Sequence, residues 1–212
     1  MKDYRVGTSK HWPGSCVFWQ TDINGSIRTG KVMLYDAETG KRVKEPFNHV
    51  TWVHSLLRLP DFNLRQCFFG EHLLPMNRGK PVAIVESEKT ALVGAYYLPE
   101  YVWLATGGKN GCFNTDALHV LRGRQVILYP DIGATDQWRQ KLTQLRNLGI
   151  EASIFNYLEE VATDNERTAG LDIADYLLQI EPDQAVLQTM IRKNRTTIRD
   201  SVLTNSEREL YL

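Results

Sequence analysis

The chain has 212 residues, 42% apolar and 24% charged, the composition of a globular protein with room for one large domain or two small ones. No run reaches the roughly 18 apolar residues of a membrane span, and no signal-peptide apolar region opens it. Cys16, Cys67 and Cys112 lie far apart with no Cys-x-x-Cys pair, which argues against a zinc ribbon or a disulfide framework and for a reducing cytoplasm. The net charge is zero but uneven. Residues 1–80 carry 12 Lys/Arg against 7 Asp/Glu, and residues 81–212 carry 13 against 18. The first part suits a polyanion and the second suits cations.

In chain order, residues 1–15 are polar, with Gly7, Pro13 and Gly14, and read as an irregular lead-in. Cys16 to Gln20 reads as a strand, Asp22-Ile23-Asn24-Gly25 as a turn and Lys31 to Tyr35 as the returning strand. With a second turn at Glu38-Thr39-Gly40-Lys41, residues 16–45 form a small antiparallel meander. Val50 to Leu59 has a mixed apolar period and reads as a short helix. Arg65 to Leu74 fits strand or helix equally. The polar break Asn77-Arg78-Gly79-Lys80-Pro81 sets a boundary between a small α+β domain over 1–80 and an α/β domain over 81–182.

After the break the pattern alternates. Strands over 82–86, 101–105, 125–129 and 151–155 are separated by helices over about 88–98, 114–121 and 134–148, the order of a mostly parallel sheet with helices on both faces. The chain then turns acidic, and Ala169 to Leu177 opens a helix. Residues 183–193 look helical, and 183–212 are read as a helical tail.

Two of the strands, Val82-Ala83-Ile84-Val85 and Val126-Ile127-Leu128-Tyr129, each run into an acid, Glu86 and Asp131. Strands this apolar are buried on both faces, and ligands of such sheets gather at the carboxyl ends. Two carboxylates there repel unless a cation lies between them or one is protonated, and Mg²⁺ is the natural cation. An acid after a strand is also an ordinary helix N-cap.

Three segments carry a resemblance. Val82 to Leu92, containing Glu86-Ser87-Glu88-Lys89-Thr90, is similar to the first motif of the Toprim domain of primases, topoisomerases and some nucleases. Ile127-Leu128-Tyr129-Pro130-Asp131-Ile132-Gly133 resembles its Asp-x-Asp second motif. Gly170-Leu171-Asp172-Ile173-Ala174-Asp175-Tyr176-Leu177 resembles the acidic segment that follows in primase-like members. The stretch before them, with Phe18-Trp19-Gln20, Thr29-Gly30-Lys31, Thr39-Gly40-Lys41-Arg42 and Trp52-Val53-His54-Ser55, resembles more loosely the primase-like proteins of Bacteroidetes mobile elements. The resemblance implies a Toprim-like, Rossmann-like fold with Mg²⁺- or Mn²⁺-dependent nucleotidyl transfer on a DNA template. It also implies single-stranded DNA and nucleotides as partners, and a helicase or other replication protein nearby. A nuclease, or a degenerate nucleic-acid-binding module, stands as the alternative. Two positions depart from the pattern: Ser87 replaces the usual Gly, and Gly133 replaces the second Asp.

On this reading Glu86 and Asp131 are catalytic, and Glu86, Asp131 and Asp172 are metal ligands. Asp136 reaches back to join them, or is a helix-start acid facing the dipole. Lys89 contacts a phosphate or is a solvated helix lysine. The loop Gly107-Gly108-Lys109-Asn110-Gly111 offers N–H groups to a phosphate, or is a turn that needs positive φ. Lys31, Lys41 and Arg42, with Arg28 and Lys44, interleave with Trp19, Tyr35 and Phe47. They make a single-strand binding surface, or a β layer with its aromatics inside. His11, His49, His54 and His72 show no ligand spacing.

Overall fold

The computed structural model describes residues 2–108 and 111–179. The expected helix over 183–193 and the tail over 183–212 lie outside the described residues, as does Lys109.

The first part is an antiparallel sheet of β1 (Val6–Ser9), β2 (Ser15–Thr21), β3 (Ile27–Met33) and β4 (Val50–Trp52), in that spatial order. The Asp22 turn forms as the sequence predicts. Asp22 Oδ1 accepts the N–H groups of Asn24 and Ser26, and Gly25 takes φ +85°. Two readings are corrected. The lead-in contains β1, whose Gly7 and Thr8 pair with Val17 and Cys16. The expected helix over 50–59 is the strand β4 followed by the single turn α1 (Val53–Leu56). Its apolar period was mixed because two element types meet at Trp52. α1 lies on β3 over Gly30, where a Cβ would come within 2.9 Å of Trp19, Val17 and Val53, so only glycine allows that approach. Residues 65–74 are neither strand nor helix apart from a 3-10 turn over Glu71–Leu73.

The second part alternates as the sequence predicts: β5 (Val82–Val85), α2 (Glu88–Tyr97), β6 (Val102–Ala105), α3 (Thr115–Leu118), β7 (Val126–Leu128), α4 (Thr135–Asn147) and β8 (Ala152–Ile154). The short helices α5 (Tyr157–Val161), α6 (Asp164–Ala169) and α7 (Ile173–Leu177) follow. The sheet is entirely parallel, in the order β6-β5-β7-β8, and β5, β6 and β7 are buried throughout. Right-handed crossovers run one way from β5 to β6 and the other way from β7 to β8. They therefore place α2 and α4 on opposite faces of the sheet. α7 packs on α2.

The core runs unbroken across the polar break at residue 80. Tyr4, Phe18, Met33, Phe68 and Phe69 join the buried strands β5, β6 and β7 in one cluster. Phe69 exchanges both backbone hydrogen bonds with Ala105, at 3.0 and 3.1 Å, and the Tyr4 hydroxyl donates to the Trp103 carbonyl at 3.0 Å. The free edge of β6 is thus covered by residues from the first part. The same geometry fixes the relation of the antiparallel sheet to the carboxyl ends of β5 and β7.

Candidate active site

β5 and β7 are hydrogen-bonded neighbours, with Ile84 opposite Leu128. Glu86 and Asp131 therefore leave the sheet at the same edge. The Glu86 carbonyl accepts the N–H groups of Gly107 and Gly108 at 3.0 and 3.2 Å, which clamps the end of β5 to the loop after β6. Past β7, a turn closes from Ala134 N–H to the Asp131 carbonyl, with Gly133 at φ +83°. The Ile132 N–H donates to the Leu171 carbonyl, which brings the segment before α7 alongside Asp131. Asp172 is the N-cap of α7. Its Oδ1 accepts from the Ala174 and Asp175 N–H groups, and its Oδ2 from the Thr90 hydroxyl at 2.5 Å.

Glu86, Asp131 and Asp172 line one cavity of about 630 Å³. Lys41, Arg42 and Lys44 line it too, carried there by the excursion between β3 and β4, and Lys89 comes from the first turn of α2. The cavity thus joins acids from the strand ends with cations from the antiparallel sheet.

Burial, and then the charges of Asp172, Glu86 and Asp175, push the Asp131 carboxyl up to about 7, with Lys141 pulling the other way. Burial also raises Asp172, against the hydrogen bond from Thr90. The Lys141 ammonium is buried over the Trp138 ring at 4.1 Å and near Phe113 at 5.2 Å. Burial lowers its pKa, while Glu86, Cys112 and Asp131 support its charge.

Several expected site residues are engaged differently from the expectation, although Lys31 and Gly108 still line the cavity. The Asp136 side chain is fully exposed and pairs with Arg139 at 3.5 Å, one turn along α4, so it is the helix-start acid and does not reach the cluster. Gly107 and Gly108 spend their N–H groups on the Glu86 carbonyl at φ +81° and +134°, so the loop is a positive-φ turn and presents neither N–H to a phosphate. Lys31 is buried. Its ammonium donates to Glu88 Oε2 at 3.2 Å and to the Gly107 carbonyl at 2.8 Å, which makes it an internal tie rather than a surface cation. Arg28 is paired with Asp22 at 2.5 Å. Trp19 packs on Gly30, and Tyr35 packs edge-on against Phe18, whereas Phe47 is 55% exposed.

Three residues were not singled out from sequence. Glu88 is 1% exposed and lines the cavity. Its signal was a second acid inside the first motif, two residues past Glu86. Thr90 holds Asp172 and carries no sequence signal of its own. Lys141 sits at helical spacing between Trp138 and Leu145, a cation inside an apolar stripe.

The donor set fits a divalent cation held by two carboxylates. Asp131 and Glu86 supply hard oxygens at one sheet edge, and burial followed by the acids around Asp131 disfavours its charge in the metal-free chain. The Asp172 oxygens are already engaged by Thr90 and the α7 N–H groups. Among the described residues no three His, Cys, Asp or Glu side chains gather closely enough to enclose an ion. Two carboxylates with the remaining places left to water and phosphate is the usual Mg²⁺ arrangement.

Residues 1–132 match the model of a family described as a domain of unknown function (DUF6371), and the chain belongs to that family. The matched span contains Glu86, Asp131 and the cationic loop. No curated protein matches the sequence. Among solved structures the fold is similar to the DnaG primase catalytic domain bound to single-stranded DNA, at 14% identity and a TM-score of 0.52, covering 90% of this chain and 56% of that one. It is also similar to the RNA polymerase domain of Mycobacterium tuberculosis primase DnaG in complex with double-stranded DNA, at 13% identity and a TM-score of 0.51, covering 90% and 58%. The chain therefore spans a little over half the length of each. The shared feature is the fold of a primase catalytic core. No helix among the described residues is long and apolar enough to cross a membrane.

Proposed function

We propose that the cavity is a primase-like, Toprim-type centre for nucleotidyl transfer on a single-stranded DNA template. The observation that carries this reading is the meeting, in one cavity, of the strand-end carboxylates Glu86 and Asp131 with Lys41, Arg42, Lys44 and Lys89. Polynucleotide synthesis needs both halves: a seat for a divalent cation and donors for phosphate oxygens. Glu86 and Asp131 would hold Mg²⁺ or Mn²⁺, which when bound supplies charge neutralisation at the phosphoryl group. The chain's own residues do the rest. Lys41, Arg42 and Lys89 bind and orient the phosphates. Lys31, through Glu88 and the Gly107 carbonyl, fixes the strand end on which Glu86 stands. In the metal-free chain burial and the neighbouring acids push Asp131 up to about 7, so a cation binding there competes with a proton near neutral pH.

The setting that belongs to this reading is cytoplasmic replication of a mobile element or plasmid, alongside a helicase or other replication protein. Gly133, in place of a second acid, favours one rival: a module that binds the nucleic acid and leaves synthesis to another chain. A primer-synthesis assay with single-stranded template, labelled nucleotides and Mg²⁺ or Mn²⁺ separates the two. Labelled product from the wild type, lost in Glu86→Gln and Asp131→Asn, is the expected result. Template binding without product in either metal would remove the synthetic activity and leave the binding module.

A further inference from the structure

Four rings meet at one end of the antiparallel sheet, beside the cavity. Trp12 sits at the β1–β2 tip, and its ring lies 4.5 Å from His11, 5.1 Å edge-on from His49 and 6.4 Å from Phe47. Phe47 stacks on His49 at 4.3 Å with 19° between the planes. The 44–48 loop is closed by the His49 N–H donating to the Val43 carbonyl, and the Leu34 N–H donates to the His49 carbonyl. This pins His49 beside β3 and fixes the ring stacked on it. One face of Phe47 is covered by His49, and the side chain remains 55% exposed. A single exposed ring needs no explanation. A rigidly backed ring in a four-ring cluster is a surface prepared to take another flat group.

We propose that Phe47, backed by His49 and Trp12, is a stacking platform for the bases of single-stranded nucleic acid. The proposal rests on the reading of the cavity as a polynucleotide site and adds the place where the strand's bases lie.

Charge selects this partner. The segment 41–49 carries Lys41, Arg42 and Lys44 against Glu45 alone, and Lys10 precedes the His11–Trp12 pair. Lys41, Arg42, Lys44 and Glu45 all line the cavity, and Phe47 follows two residues later. Two residues of chain reach at most about 7 Å, close to one nucleotide step. Cations for the backbone beside an aromatic face for the bases is the arrangement that holds single strands with little regard to sequence. A duplex keeps its bases stacked on one another and offers the ring no face.

The test is fluorescence anisotropy of a labelled oligothymidylate and of a duplex of equal length, each across a salt series, with the full chain. Phe47→Ala should weaken single-strand binding by about tenfold, leave the salt slope unchanged and leave duplex binding unchanged. Phe47→Trp should retain wild-type affinity. Lys41→Glu with Arg42→Glu should instead flatten the slope, by about 0.7 per lost contact. Wild-type affinity in Phe47→Ala overturns the platform, as does an equal loss in Phe47→Ala and Phe47→Trp or an equal loss for duplex. Unchanged DNA affinity together with altered self-association in sedimentation would assign the rings to a second copy of the chain and overturn the proposal. A wild type that binds no single strand at all fails at the cavity reading itself, before the ring variants are compared.

Discussion

Two parts of one cavity treat buried negative charge in opposite ways. On the wall shared with the antiparallel sheet, Glu88 meets the Lys31 ammonium at 3.2 Å, and the same ammonium takes the Gly107 carbonyl at 2.8 Å. At the strand ends, Asp131 feels the charges of Asp172, Glu86 and Asp175, with Lys141 opposing them. The first acid has a cation from its own chain in hydrogen-bonding contact. The second is pushed up to about 7 first by burial and then by Asp172, Glu86 and Asp175, against Lys141. The contrast separates an acid paired by a cation from an acid crowded by other acids. Glu88 is paired through one oxygen when the chain folds, with its buried Oε1 left without a hydrogen-bond partner, whereas Asp131 is buried among like charges.

The largest expected effect breaks the closed pair. Lys31→Met leaves Glu88 buried with no counter-charge, and unfolding in urea should show a loss of about 3–5 kcal/mol. Lys31→Met with Glu88→Leu removes both charges and should recover most of that loss. If the single change costs under about 1 kcal/mol, in the range of an exposed pair, the Lys31–Glu88 contact is not the tie between the sheets.

Asp131→Asn should act in the opposite sense. The folded chain holds the Asp131 proton more tightly than the unfolded chain, whose aspartate titrates near 3.8. The folded state therefore binds more protons between those values, and stability falls as the pH rises from about 4 to about 7. A shift of this size corresponds to roughly 4 kcal/mol. Water in the open cavity screens part of it, so Asp131→Asn should gain about 1–3 kcal/mol at pH 8. The gain should vanish near pH 4. Saturating Mn²⁺ should reverse the order, because only the wild type keeps the carboxylate that a cation stabilises. Thermal melts at pH 4, 6 and 8, with and without Mn²⁺, check both signs. A pH-independent difference between the two proteins would remove the claim that Asp131 is buried among acids.

The sequence made the parallel half legible and left much of the antiparallel half obscure, for a physical reason. β5, β6 and β7 are buried on both faces, so each appears as an unbroken apolar run, and the acid that follows marks the sheet edge directly. β1 is only four residues long and includes Gly7 and Thr8, and β4 is three residues long and runs straight into α1, so neither spans enough residues to show a period. In the site, Glu86, Asp131, Lys41, Arg42 and Lys89 were named from sequence, and all line the cavity. Asp136 was named because it lies three residues past Gly133, in the first turn of the helix. Its place on the exposed face of α4 depends on where the turn at Gly133 points the helix, which spacing alone does not encode. Lys31 was named as a surface cation, and only the packing of β3 against the first turn of α2 turns it inward.

The smallest expected effect sharpens the comparison at Gly133. A Cβ built there meets nothing within 4 Å, so Gly133→Asp has room for its side chain. The backbone sits at φ +83°, where a non-glycine residue costs about 1 kcal/mol. The Gly133 N–H donates to Glu159 Oε2 at 2.7 Å, and Glu159 is also held by Thr135 and Arg167. The new carboxylate would therefore meet an acid already anchored at the start of α4. Metal-free Gly133→Asp should lose about 1–2 kcal/mol, from backbone strain and like-charge crowding. In calorimetric titration it should bind Mn²⁺ more tightly than the wild type, since it adds a hard oxygen ligand two residues from Asp131. Adding Glu86→Gln should remove that gain if the new acid and Glu86 serve the same ion. Tighter binding that survives Glu86→Gln would place the ion beside Glu159 instead. Equal, negligible binding in all three proteins would leave the strand-end acids without a cation to receive, and the contrast with Glu88 would then concern proton binding alone.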